Sequence, residues 1–118
     1  MTEPPMTGPP VFRHPIGRFE QWRRQLFCRA MQAMGYRQFV VEAQGALFLV
    51  GTEDLIDRSI AYFGMWEGPQ LDDLARVCRT QGARYFLDIG ANSGFYSVLL
   101  ASKGLVGEVI AFEPDPGN

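Results

Sequence analysis

The sequence predicts an α/β fold, with a parallel strand–helix–strand unit over residues 84–118 and a helical and β-hairpin region over residues 17–83 before it. Three observations support this. Tyr85–Ile89 and Val109–Phe112 are short, nearly continuous apolar runs, the pattern of strands buried on both faces of a parallel sheet. Between them, Ser93–Lys103 is long enough for a helix, and a parallel pair needs such a crossover, which is almost always right-handed. Upstream, apolar residues recur at three- and four-residue steps over Arg18–Met34 and then form two short runs around a glycine, a helix followed by a hairpin.

Taken in order, residues 1–16 hold five of the eight prolines (Pro4, Pro5, Pro9, Pro10, Pro15) and are expected to form a disordered or extended tail with little to offer a core. His14, the only histidine, falls there and takes no role. Phe19, Trp22, Leu26, Ala30 and Met34 make the helical stripe of the next segment, and this stripe is expected to be core. Gly35 supplies the stop. The runs Gln38–Glu42 and Ala46–Val50 flank Ala43, Gln44 and Gly45 as a hairpin. Leu55, Ile56, Ile60 and Phe63 predict a short helix started by Thr52 or Asp54 and closed by Gly64. After a linker at Met65–Gly68, Pro69 opens a helix where its missing N–H costs nothing, with Leu71, Leu74, Ala75 and Cys78 turned inward and Gly82 as its end. Gly104 is the expected stop of the crossover helix.

With 118 residues, the chain is long enough for one small domain and not for two. No apolar run approaches the roughly 18 residues needed to span a bilayer. The N-terminus lacks the charged start and apolar core of a signal peptide, so a cytoplasmic setting is the default. Cys28 and Cys78 stand 50 residues apart, without metal-ligand spacing, and read as small buried hydrophobes. Residues 1–37 hold six arginines against Glu3 and Glu20, a balance of +4, whereas residues 38–118 balance at −6. The basic segment carries no recognised nucleic-acid motif, so it reads as a solvated face rather than a nucleic-acid binder.

The chemistry gathers at the ends of the two C-terminal strands. Asp88, Gly90, Asn92 and Gly94 form a turn after the first. Gly90 permits a sharp turn where a β-carbon would obstruct a ligand. Asn92 tolerates a left-handed backbone and is suited to cap the following helix. Gly94 allows close approach of helix, strand or ligand. Glu113 lies nineteen residues after Gly94, at the end of the second strand, where a carboxylate accepts from ribose hydroxyls in dinucleotide folds. Pro114 ends that strand. A pyrophosphate needs the closer glycine spacing G-x-G-x-x-G, and a carboxylate at Asp88 would repel it while suiting an ammonium group. S-adenosylmethionine, with an ammonium, a sulfonium and a ribose but no phosphate, fits these residues better than a nicotinamide dinucleotide. Glu67 is either a further contact, since strand-end loops gather at such a site, or a solvated linker residue. Phe95 and Tyr96 read as core or pocket wall.

The stretch F-L-D-I-G-A-N-S-G-F-Y-S at Phe86–Ser97, followed by V-I-A-F-E-P-D-P at Val109–Pro116, resembles the start of the FkbM-type methyltransferases. Asp54 and the segment Gly64-Met65-Trp66-Glu67 resemble what precedes that domain, so the likeness spans residues 46–118. It implies a class I, Rossmann-like S-adenosylmethionine-dependent fold, with the turn Asp88–Gly94 on the methionine part of the cofactor and Glu113 on the ribose. It also implies methyl transfer to hydroxyls of sugars, glycolipids or secondary metabolites. Class I sheets of this kind hold many more than two strands, so the resemblance leads us to expect an N-terminal fragment of a methyltransferase or a truncated product without activity of its own. On that expectation the first strand has an open apolar edge, and the acceptor site and any general base lie outside these residues.

Overall fold

The computed structural model describes residues 11–13 and 16–117. The expectations for residues 1–10, His14 and Pro15 lie outside them. The protein is a mixed α/β structure: α1 (Arg18–Ala33), β1 (Gln38–Ala43), β2 (Ala46–Gly51), α2 (Leu55–Phe63), α3 (Gly68–Gln81), β3 (Tyr85–Ile89), α4 (Phe95–Ser102) and β4 (Glu108–Phe112). No helix among the described residues is long and apolar enough to cross a membrane.

The hairpin forms as its residues dictate. β1 and β2 pair antiparallel from Gln38↔Gly51 to Ala43↔Ala46, leaving Gln44 and Gly45 as a two-residue turn. Both have positive φ, 56° and 83°, which matches the right-handed twist of the flanking strands. Burial alternates along β1, so Phe39, Val41 and Ala43 enter the core with Phe48 and Val50 of β2. α2 starts on Asp54, whose side chain accepts from the Asp57 N–H at 3.0 Å, and ends on Gly64 in a left-handed conformation. Pro69 sits in the first turn of α3, which buries Leu71, Ala75 and Cys78 and closes on Gly82. Both cysteines are free and buried.

β3 and β4 pair parallel, Tyr85↔Glu108 to Ile89↔Phe112, with α4 as the connection. α4 starts later than expected, at Phe95, with Gly94 as its N-cap at φ 77° and no side-chain cap, so Asn92 does not cap it. Leu99 and Leu100 of α4 are buried, and Phe95 meets Phe48 of β2 with ring centroids 5.2 Å apart. That contact joins the hairpin and the βαβ unit in one core.

Two expectations about burial are corrected. The α1 stripe is not core: Phe19 is 74 %, Trp22 59 % and Leu26 52 % exposed, and Met34 is exposed too. The face turned inward is the one carrying Arg24 and Cys28, with Met31 packed against the core and Phe27 edge-on to Phe39, and there Arg24 finds main-chain acceptors on both neighbouring elements. Its Nη2 donates to the Glu42 carbonyl at 2.6 Å and Nη1 to the Ala61 carbonyl at 3.5 Å. Neither are β3 and β4 buried on both faces. Phe86, Asp88 and Val109 are half-buried on the side of α4, while Tyr85, Leu87, Ile89, Ile110 and Phe112 are exposed. Among the described residues nothing covers that second face. A third difference concerns the Pro-rich segment. Phe12 is fully buried, and Gln44 clasps the neighbouring Arg13 main chain, accepting from its N–H at 2.7 Å and donating to its carbonyl at 2.6 Å.

Candidate functional site

A pocket of about 310 Å³ opens at the carboxyl end of β3, where α/β sheets place their ligands. β3 delivers Asp88 to it, the β3–α4 turn delivers Gly90, Asn92 and Ser93, and the α2–α3 linker delivers Trp66 and Glu67. Phe86, Phe95 and Tyr96 complete the apolar wall. Four of the six residues singled out from the sequence, Glu67, Asp88, Gly90 and Asn92, therefore meet at one place. Gly94 and Glu113 are outside the lining and act on the turn that forms it.

The turn is held by main-chain geometry and one carboxylate. Gly90 (φ 80°) and Asn92 (φ 53°) are both left-handed, which glycine and asparagine tolerate best. The Gly90 and Ala91 N–H groups both donate to the Phe112 carbonyl, at 2.8 and 3.0 Å, and Gly94 N–H closes the turn on the Ala91 carbonyl at 2.8 Å. Glu113 Oε2 accepts from the Asn92 N–H at 2.7 Å, and Oε1 accepts from the Asp115 N–H at 3.0 Å. The acidic residue after β4 thus reaches back to fix the turn after β3, a cross-link that the sequence alone did not disclose.

Asp88 uses one oxygen, Oδ2, to accept from the Ser97 hydroxyl of α4 at 2.6 Å. Its Oδ1 accepts no hydrogen bond among the described residues, so the carboxylate is oriented yet keeps acceptor capacity. Glu67 sits in a left-handed conformation at φ 49° immediately before α3 and accepts from the Tyr96 hydroxyl at 2.6 Å. Burial, followed by that carboxylate, holds the Tyr96 phenol well above the usual tyrosine range. Tyr96 is therefore a hydrogen-bond donor at neutral pH and not a base.

Ser93 is the residue the sequence reading passed over. Its Oγ is buried and has no hydrogen-bond partner among the described residues, a costly arrangement for a hydroxyl unless something else bonds to it. Its place between Asn92 and Gly94 was the available signal. Ser97 was missed as well. One helical turn beyond the motif it looked like an ordinary helix residue, and only the packing of α4 on β3 brings it to Asp88.

Elsewhere, a hollow of about 520 Å³ lies between Val11, Arg13, Ile16 and Gly17 on one side and α1 and the hairpin turn on the other. Of its charged groups, Arg24 Nε donates to Glu20 Oε1 at 3.1 Å and Arg24 Nη2 lies 3.5 Å from Glu42 Oε2, while Arg13 and Lys103 complete the charged lining. Among the described residues, no group of three or more His, Cys, Asp or Glu side chains is arranged to hold a metal ion. Comparison with family models, with curated proteins and with solved structures finds no match to this chain.

Proposed function

We propose that the chain carries the donor-binding part of an S-adenosylmethionine-dependent methyltransferase of Rossmann-like, class I architecture, which methylates a hydroxyl of a small molecule or glycan. The observation that carries this reading is the convergence of Glu67, Asp88, Gly90 and Asn92 on one pocket at the end of β3.

Three features fit the cofactor. Asp88 Oδ1 is an available acceptor for an ammonium group. Ser93 Oγ is buried without a partner and would gain one from a bound polar ligand. No heavy atom beyond its neighbours lies within 4 Å of where a Gly90 β-carbon would stand, so the turn leaves room for close approach. The lining holds two carboxylates and no lysine or arginine, a poor environment for the pyrophosphate of a dinucleotide. That weighs against a nicotinamide-dependent oxidoreductase.

When bound, S-adenosylmethionine supplies an electrophilic sulfonium methyl group. The part of this chain is to hold and orient. Asp88 accepts from the ammonium, with its carboxylate fixed by Ser97. Glu113 keeps the Asn92 turn in shape and retains lone pairs for ribose hydroxyls. Trp66, Phe86 and Phe95 exclude water on the apolar side. Such positioning supplies much of the rate gain in a two-substrate transfer. Isothermal titration with S-adenosylmethionine tests the reading. Saturable heat is expected, weakened about tenfold or more in Asp88→Asn, as the loss of one charge-assisted bond predicts. Absence of saturable heat at millimolar ligand, or NADH fluorescence that changes on adding the protein, would sink it.

A further inference from the structure

α1 carries a second apolar stripe on the side turned away from the protein. Wound at about 100° per residue, Phe19, Trp22, Leu26, Ala30 and Ala33 fall on one stripe, and all five are exposed. The opposite side is the one anchored. Arg24 and Cys28 are buried there, Gln21 donates to the Ile16 carbonyl at 3.1 Å, and Gln32 Nε2 donates to the Thr52 hydroxyl. Phe27 and Met31 also pack on that side, Phe27 edge-on to Phe39 with ring centroids 5.8 Å apart, so the core accounts for the inward side of the helix but not for the outward stripe of Phe19, Trp22 and Leu26.

The margins of the stripe indicate what covers it. Arg18 and Arg29 run along one side and Arg23 along the other, all exposed. Arg23 is paired with Glu20 at 2.7 Å, whereas Arg18 and Arg29 form no ion pair among the described residues. An apolar stripe with an aromatic pair, Phe19 and Trp22, bordered by cations is the composition of a helix lying in the interface of an anionic bilayer. The rings insert at headgroup depth and the guanidinium groups meet lipid phosphates and carboxylates. A second copy is a poorer occupant, since antiparallel pairing across a two-fold axis would set the Arg18 end of one helix against the Arg29 end of the other. A nucleic acid would use the arginines and leave the apolar stripe without a role.

We propose that α1 binds this protein to anionic lipid surfaces through Phe19, Trp22 and Leu26, with Arg18 and Arg29 supplying the charge selectivity. The proposal is independent of the cofactor reading. The test is cosedimentation of the chain with vesicles of phosphatidylcholine alone and of phosphatidylcholine mixed with phosphatidylserine, at low and high salt. Partition onto the anionic vesicles should exceed that onto neutral ones by about tenfold or more and fall with salt. The triple variant Phe19→Ser/Trp22→Ser/Leu26→Ser should lose about tenfold or more of that partition with unchanged circular dichroism, because the three side chains stand in solvent. Arg18→Gln/Arg29→Gln should lose the anionic preference while keeping the fold. The idea is overturned if the wild type ignores anionic vesicles at low salt, or if the triple variant binds as well as the wild type. It is also overturned if the wild type is a dimer that the triple variant converts to a monomer without any vesicle binding, or if only an acidic protein is retained by the stripe.

Discussion

Arg24→Met tests why α1 sits with its apolar stripe outward. Arg24 is 9 % exposed and its strongest contact is the 2.6 Å bond from Nη2 to the Glu42 carbonyl, a charge-assisted bond of about 1.5–3 kcal/mol. The 3.5 Å approach to Ala61 adds little, and the pairs with Glu20 and Glu42 involve partly exposed carboxylates, for which about 0–1 kcal/mol is usual. Methionine keeps most of the packed stem, so the expected loss is about 2–4 kcal/mol, a large share of the stability of a domain this size. Gly64 supplies the internal control. A β-carbon there would stand 3.2 Å from both the Arg24 Cζ and Nη2, and its φ is +64°. Gly64→Ala therefore carries a backbone penalty of about 1 kcal/mol in any background, and in the wild type it also pushes the guanidinium off Glu42. In Arg24→Met that second cost vanishes. A double-mutant cycle by urea unfolding, with unchanged m-values, should show the double variant about 1 kcal/mol more stable than additivity predicts. Additivity within about 0.3 kcal/mol, or an Arg24→Met variant as stable as the wild type, would refute the account.

Three further outcomes follow from the site and its surroundings. In an alkaline titration read by phenolate absorbance, Tyr96→Phe should leave the signal in the ordinary tyrosine range unchanged, because burial and Glu67 hold Tyr96 above it. Glu67→Gln should bring the missing phenol down toward that range, and a Tyr96→Phe signal lost from the ordinary range would contradict the hydrogen bond. Gly90→Ala should cost about 1 kcal/mol for its φ of +80° but nothing for sterics, since the space beyond it is open. Its effect on S-adenosylmethionine affinity should be larger than that, and unchanged affinity by titration calorimetry would remove Gly90 from the binding surface. Asp57 has its carboxyl pKa raised by burial, against a hydrogen bond from the Gly51 N–H at 3.0 Å, and its Oδ1 is buried without a partner. A raised folded-state pKa means the folded protein holds the proton more tightly. The contribution is therefore full below the unfolded value near 4 and is lost as pH rises through the folded one. Asp57→Asn should accordingly raise the urea midpoint at neutral pH and lose that advantage in acid, and a gain that persists unchanged in acid would count against it.

Most of the elements were legible because their signals are local. Asp54 and Gly64 bracket α2, Pro69 and Gly82 bracket α3, and Gly45 closes the hairpin, and each acts through its own backbone. The candidate site was legible to the same degree. Gly90 and Asn92 take the left-handed conformations their residue types favour, and Asp88 lies one residue before the end of β3, in the wall of the pocket. The outward stripe of α1 was not legible. Periodicity identifies a helix and an apolar face, but hydropathy cannot tell that Cys28, Met31 and Phe27 will meet the core instead, with Arg24 among them bonded to two carbonyls. Phe12 was misjudged for a similar reason. Its prolines argue against regular structure, but they do not show that Gln44 of the hairpin turn will bond the adjoining Arg13 main chain or that Phe12 will be buried.

By itself, then, the sequence determined the order of helices and strands, the parallel pairing of β3 with β4, and a carboxylate-bearing glycine turn at the end of β3. These follow from φ preferences, caps and periodicity, which act within a few residues. Tertiary structure alone decided that Glu113 would reach back 21 residues to the Asn92 N–H, that Ser97 would orient Asp88, and that Glu67 would meet Tyr96 from another segment. Each is a bond between groups far apart along the chain. Its formation depends on how α4 and the α2–α3 linker pack against β3, and no local residue preference encodes that distance.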